Sequence, residues 1–124
     1  MIAGAHVLIY AEDAAAAREF LRDKLGLEHV DAGDGWLIFR LPPAELGVHP
    51  GTGGHELFFM CHDIEETRRE LEAKGVEFTS PIEDQGFGLI TRMKIPGAGE
   101  LQLYQPKHAS PLKEFDARSA SDPE

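Results

Sequence analysis

Apolar positions along the chain alternate between two spacings. Residues 6–10 (His-Val-Leu-Ile-Tyr), 36–40 (Trp-Leu-Ile-Phe-Arg) and 55–61 (His-Glu-Leu-Phe-Phe-Met-Cys) are short runs rich in β-branched and aromatic side chains, the signature of strands. Ala17, Phe20, Leu21 and Leu25 recur at helical spacing with Arg18, Arg22 and Asp23 turned to water, and Ile64, Thr67 and Leu71 line a second helix. Asp13 stands at a helix N-cap, Asp63 with Glu66 three residues later forms a capping-box-like start, and Gly26 stops the first helix. The pattern predicts a strand over 3–10, a helix over 14–25, and strands over 27–30, 36–40 and 45–49. After a glycine-rich link at 50–54 it predicts a strand over 55–61, a helix over 64–74, and strands over 76–79, 86–94 and 101–105.

The two halves repeat each other. The offset is 49 from His6 to His55, 50 from Asp13 to Asp63 and 49 from Gly26 to Gly75. A repeat of this length indicates two supersecondary units packed together. Each unit reads strand, helix, three strands, which predicts an α+β fold: two tandem βαβββ modules forming a curved mixed sheet around a cleft, helices on the outside. Module one spans 3–50 and module two 54–107, within a single domain at 1–108, and 109–124 is a polar tail, either poorly ordered or lying on a neighbour.

Composition narrows the function. The 124 residues suffice for one core. A net charge of −10 with no basic stripe argues against nucleic acid. One cysteine, Cys61, excludes an intrachain disulfide and a thiolate metal cluster. No apolar run approaches a membrane span and no signal peptide opens the chain, so a cytoplasmic protein is expected.

The segments HVLIYAED, KLGLE, KGVEF, LGVHP and ELQLYQP, in this order and in duplicate, resemble the vicinal oxygen chelate superfamily, which includes glyoxalases, epimerases, extradiol dioxygenases, fosfomycin-modifying enzymes and bleomycin-binding proteins. The resemblance covers residues 3–107. It implies a divalent metal (zinc, nickel, iron or manganese) held by the first and last strand of each half: His6 and His49 from module one, His55 and Gln102 from module two. Gln102 departs from the family's usual glutamate, and IPGAG replaces the usual turn before that strand. A glutamine can ligate but brings no charge and cannot serve as a base. Glu100, on the same strand face as Gln102 and Tyr104, is the candidate catalytic carboxylate, with Glu45 a weaker one.

Strand parity places His6, Leu8 and Tyr10 on one face, and His55, Leu57 and Phe59 on one face. A single such histidine is more often a core residue than a ligand; three at matching positions favour metal. His29, His62 and His108 are assigned no role. Tyr10, Trp36, Phe59, Phe87 and Tyr104 are candidates for lining the cleft, and Arg92 for meeting an anionic ligand, although it could equally face solvent. Two functions are carried forward. One is a metal-dependent enzyme of lyase, isomerase or oxygenase type that chelates a small oxygenated molecule. The other is a metal-free protein that sequesters a small molecule or antibiotic. In either case a homodimer is expected, because exposed sheet edges are usually covered.

Overall fold

The computed structural model describes residues 6–47, 50, 52 and 55–117. Helix α1 (Ala14–Glu19) runs on into one π turn, Phe20–Lys24. Strands β1 (His29–Asp31) and β2 (Leu37–Phe39) form an antiparallel hairpin. Then come β3 (Phe58–Met60), helix α2 (Ile64–Ala73), β4 (Glu83–Asp84), β5 (Gly88–Ile95) and β6 (Gly99–Pro106), and last a 3₁₀ turn at Lys113–Phe115. The fold is α+β. The sheet of the second half has the order β3-β6-β5-β4, with β3 parallel to β6 and the other pairs antiparallel. Strand β4 was not foreseen from the sequence. The expected strand at 76–79 is reduced to a bridge between Phe78 and Met93, flanked by Thr79 N–H to Arg92 O (2.8 Å) and Lys94 N–H to Glu77 O (2.8 Å).

Both helices start as the sequence predicts. Asp13 accepts from the Ala16 amide at 3.0 Å, and Asp63 from the Glu66 amide at 3.1 Å, satisfying donors that the helix itself leaves free. Gln105 Oε1 takes the Ile64 amide at 2.9 Å, so β6 also holds the start of α2. The helices end at Gly26 and Gly75, both at positive φ, where glycine meets no Cβ penalty.

Both helices pack on one face of the four-stranded sheet. Ala17 and Phe20 from the first half join Cys61, Ile64, Val76, Met93, Ile95, Leu101 and Leu103 in one buried cluster. On β5 the odd positions 91, 93 and 95 are buried against the helices, while Arg92 and Lys94 are exposed on the other side. Thr91 is fully buried, and its hydroxyl is satisfied: it donates to Ser80 O at 2.9 Å and accepts from Arg68 at 3.0 Å. Hydrogen bonds between the helix ends and turns also tie the halves together. Lys24 Nζ donates to Lys74 O at 2.6 Å at the C-terminal end of α2, where a cation is favoured, and the Asp13 amide donates to Gly97 O at 3.0 Å. Arg18 lies over Trp36 at 4.8 Å and Arg68 over Phe78 at 4.7 Å, so each helix carries one cation–π contact.

The first module departs from the expected pattern. Residues 6–10 form no strand, and Val7, Leu8, Ile9 and Tyr10 are exposed, Tyr10 at 87%. Residues 45–47 form no strand either, and 48 and 49 lie outside the described residues. A strand needs a neighbour to take its backbone groups, and none of the described residues supplies one here. The expected single curved sheet is therefore a four-stranded sheet and a separate hairpin. Residues up to 117 of the polar segment are packed: Ser110 is buried and bonded to Glu45, and Phe115 stacks on His62 with ring centroids 4.5 Å apart.

Candidate functional site

The face of the four-stranded sheet turned away from the helices carries a cavity of about 230 Å³. Register fixes which side chains reach it. On β6 and β5, Gln102 pairs with Arg92 and Tyr104 with Ile90, and on β3 Phe58 stands beside Gln102. Glu56, Phe58, Ile90, Arg92 and Gln102 line the cavity together with Ser80, Glu83, Gln85 and Phe87. Phe58 and Phe87 flank Tyr104 at centroid distances of 5.6 and 5.9 Å, both tilted, making an aromatic wall. The Tyr104 hydroxyl donates to Phe87 O at 3.3 Å, and burial, reinforced by the Glu45 carboxylate, pushes its pKa up to about 12, so it is a neutral donor at any physiological pH.

Arg92 is held firmly at its backbone. Its amide donates to Ser80 Oγ at 3.0 Å and its carbonyl accepts from Thr79 at 2.8 Å, while β6 pairs it on the other side. Its guanidinium makes no ion pair or hydrogen bond among the described residues. The larger hollow, about 360 Å³ on the β1–β2 hairpin, is less suited to grip a ligand: its charged residues Glu28 and Arg40 face each other at 3.4 Å.

The structure places the expected site residues unequally. Phe87, Arg92 and Gln102 line the cavity, and Tyr104 stands in the wall behind it. Glu100 lies one residue pair from Gln102 and is bonded to the Thr79 hydroxyl, outside the lining. His6 and Tyr10 are exposed in the unpaired segment, Trp36 sits 55% exposed under Arg18, and His49 lies outside the described residues. Phe59 packs with Leu57 against the core on the helix side, and His55 shares their parity. It is their neighbours Phe58 and Glu56 that reach the cavity.

One residue of register separates His55 and Phe59 from the lining residues Glu56 and Phe58. Counted back from the capping aspartates, His6 is seven residues before Asp13, and the residue seven before Asp63 is Glu56, not His55. A slip of one along a strand moves every side chain to the opposite face. Aligning the halves on their histidines places His55 and Phe59 on the face opposite Glu56 and Phe58. The change of offset from 49 to 50 between histidine and aspartate was the available signal. Among the described residues no three His, Cys, Asp or Glu side chains gather as a metal-binding group. Nor is any helix there long and apolar enough to cross a membrane.

His108, to which the sequence assigns no role, and Glu45, the weaker carboxylate candidate, meet behind the wall. His108 Nε2 lies 3.5 Å from Glu45, and its ring stacks on Tyr104 at 5.8 Å, so the start of the polar segment closes the back of the aromatic wall.

Comparison with known proteins agrees with this architecture. A member of the Glyoxalase/bleomycin resistance protein/dioxygenase superfamily from Sphaerobacter thermophilus DSM 20745 is 25% identical, with a TM-score of 0.61 over 84% of this chain and 98% of that one. TnmS3, an antibiotic binding protein from Streptomyces sp. CB03234, is 19% identical with a TM-score of 0.59 over 86% and 99%. Lactoylglutathione lyase from Agrobacterium tumefaciens is 20% identical with a TM-score of 0.58 over 77% and 87%. No curated protein matches the sequence significantly. Residues 4–98 match the family model for this same superfamily, and the chain belongs to the Glyoxalase/Bleomycin resistance protein/Dioxygenase superfamily.

Proposed function

We propose that this chain is a cytoplasmic small-molecule-binding protein that holds a flat ligand against the open face of its four-stranded sheet without a metal, in the manner of a sequestering protein. The observation that carries this is the lining itself. An aromatic wall meets a few polar side chains in a concave site, the usual make-up of a ligand pocket. The donor chemistry of the cleft does not suit a divalent cation: among the described residues it holds no imidazole or thiolate, Glu83 is engaged by Gln85, and the remaining carboxylate, Glu56, shares the cavity with the Arg92 guanidinium, whose positive charge would oppose a metal. The similarity in fold to an antibiotic binding protein is consistent with this reading.

A second reading, a metal-dependent lyase, isomerase or oxygenase, is favoured by one observation. His6 holds in module one the place that Glu56 holds in module two, so His6 of one copy and Glu56 and Gln102 of another would supply mixed ligands. Two copies would also cover the exposed Val7, Leu8, Ile9 and Tyr10, and we include a homodimer in the proposal. The test is a panel of flat aromatic compounds titrated by protein-detected NMR, with and without chelator, alongside metal analysis of protein purified without chelator. Shifts centred on Phe58, Phe87 and Gln102 that survive chelator support binding without metal. Stoichiometric metal whose removal abolishes binding would replace the first reading with the second.

A further inference from the structure

The cleft holds two opposite charges that are not paired with each other. Arg92 and Glu56 line the same cavity, yet neither side chain makes an ion pair or hydrogen bond among the described residues. Several other charged side chains are matched: Arg22 with Asp23 at 2.7 Å, Arg68 with Glu72 at 3.7 Å, Lys94 with Glu77 at 3.7 Å and Lys107 with Asp84 at 2.7 Å. The second carboxylate at the cavity, Glu83, is already engaged by Gln85 at 3.2 Å.

We propose that the cleft selects small aromatic monocarboxylates that carry a hydrogen-bond donor at the far end of the ring. This rests on the reading of the open sheet face as a ligand cleft. Arg92 supplies the planar fork that matches a carboxylate in bidentate fashion. Its backbone is fixed on both sides, so little order is lost on binding. Glu56 accepts the remote donor, a phenolic hydroxyl or an amine. Gln102, directly across from Arg92, offers a neutral amide to the same carboxylate. Phe58 and Phe87 take the ring faces. A volume of about 230 Å³ suits a single ring. Two carboxylates, Glu56 and Glu83, share the cleft with the single guanidinium, so a phosphate dianion is repelled more strongly than a monocarboxylate.

The experiment is calorimetric titration of the full chain with 4-hydroxybenzoate, 4-hydroxybenzamide, benzoate and phenyl phosphate. The acid should bind at least ~10-fold more tightly than its neutral amide, the scale of one hydrogen bond to a charged partner. It should also bind more tightly than benzoate and phenyl phosphate. Arg92→Gln should erase the preference for acid over amide, and Arg92→Lys should keep part of it, having the charge without the fork. Glu56→Gln should shrink the preference for 4-hydroxybenzoate over benzoate. Both positions are exposed on the open face, and unchanged circular dichroism and melting confirm that the variants fold. Equal affinity for acid and amide, or a preference that survives Arg92→Gln, overturns the proposal and leaves the cleft a neutral aromatic site. If none of the compounds, nor any of the wider aromatic panel, perturbs Phe58, Phe87 or Gln102, both this inference and the binding reading fall.

Discussion

Gly88 gives the clearest check on the geometry of the cleft. A Cβ built there would run into the Tyr104 ring and would sit 2.7 Å from Gln105 O, well inside ordinary contact. The ring therefore lies flat across the glycine, and the wall exists because this position has no side chain. Gly88→Ala forces the ring off its rotamer or the strands apart, which costs about 1–3 kcal/mol for an overpacked site. Displacing the ring also breaks the Tyr104 hydroxyl bond to Phe87 O, about 0.5–1.5 kcal/mol, and loosens its contacts with Phe58 and Phe87. Alanine recovers about 0.4–1 kcal/mol by stiffening the unfolded chain. The net loss is about 2–3 kcal/mol. Gly86 is the control. It has φ +85° and open space around its Cβ direction, so Gly86→Ala carries conformational strain alone, about 1–2 kcal/mol before the same recovery. Urea unfolding followed by circular dichroism should rank Gly88→Ala clearly below Gly86→Ala, and only the former should weaken aromatic ligands. Equal losses, or a larger loss at Gly86, would mean that Tyr104 does not cover Gly88 and that the wall is wrongly drawn.

Two further outcomes follow from the local chemistry. Asp13→Ala and Asp63→Ala each remove one capping bond of about 3 Å, so each should cost about 1 kcal/mol and the two should add; a strongly unequal pair would show that the helix starts are not equivalent. Burial pushes the Cys61 thiol up from its ordinary value of 9.0 to about 11, favouring the neutral form when folded. Stability from this group is complete below pH 9 and is lost as pH rises toward 11, so Cys61→Ala should flatten the fall in urea midpoint across that window, and an unchanged slope would refute the burial argument.

The second half of the fold is legible in the sequence because its signals are local and redundant. Asp63 and Glu66 mark the start of α2, Gly75 marks its end, and the alternation through β5 separates Met93 and Ile95 from Arg92 and Lys94. The first half has equally apolar runs at 6–10 and 45–49, but strand formation there depends on partners that local pattern does not specify. The apolar character of Val7 to Tyr10 shows that something should cover the segment; it cannot show what. Strand β4, only Glu83 and Asp84, has no apolar alternation and exists because Gly88 to Ile90 presents an edge for it. Hairpins built this way are set by their neighbour's backbone, so their own side chains leave little trace.

The residues named from the sequence are placed unequally around the cavity, and the ones that fall outside it show which residues anchor a repeat. Histidines attract attention because they can ligate metal, but nothing in the backbone requires them at one strand position. Capping aspartates are different: the side chain must reach an amide three residues ahead, so Asp13 and Asp63 are tied to the helices by geometry. Aligned on those aspartates, His6 pairs with Glu56, and Leu57 and Phe59 fall to the core while Phe58 comes to the cleft. The residues named from the far strands, Arg92, Gln102 and Tyr104, needed no such alignment, because the alternation of β5 and β6 sets their faces directly, and those are the ones the cleft brings together with Phe87. The capping aspartates and the sheet register are the route by which the two halves of the sequence are best compared. In this chain that route puts a carboxylate in the second copy at the position where the first copy has an imidazole.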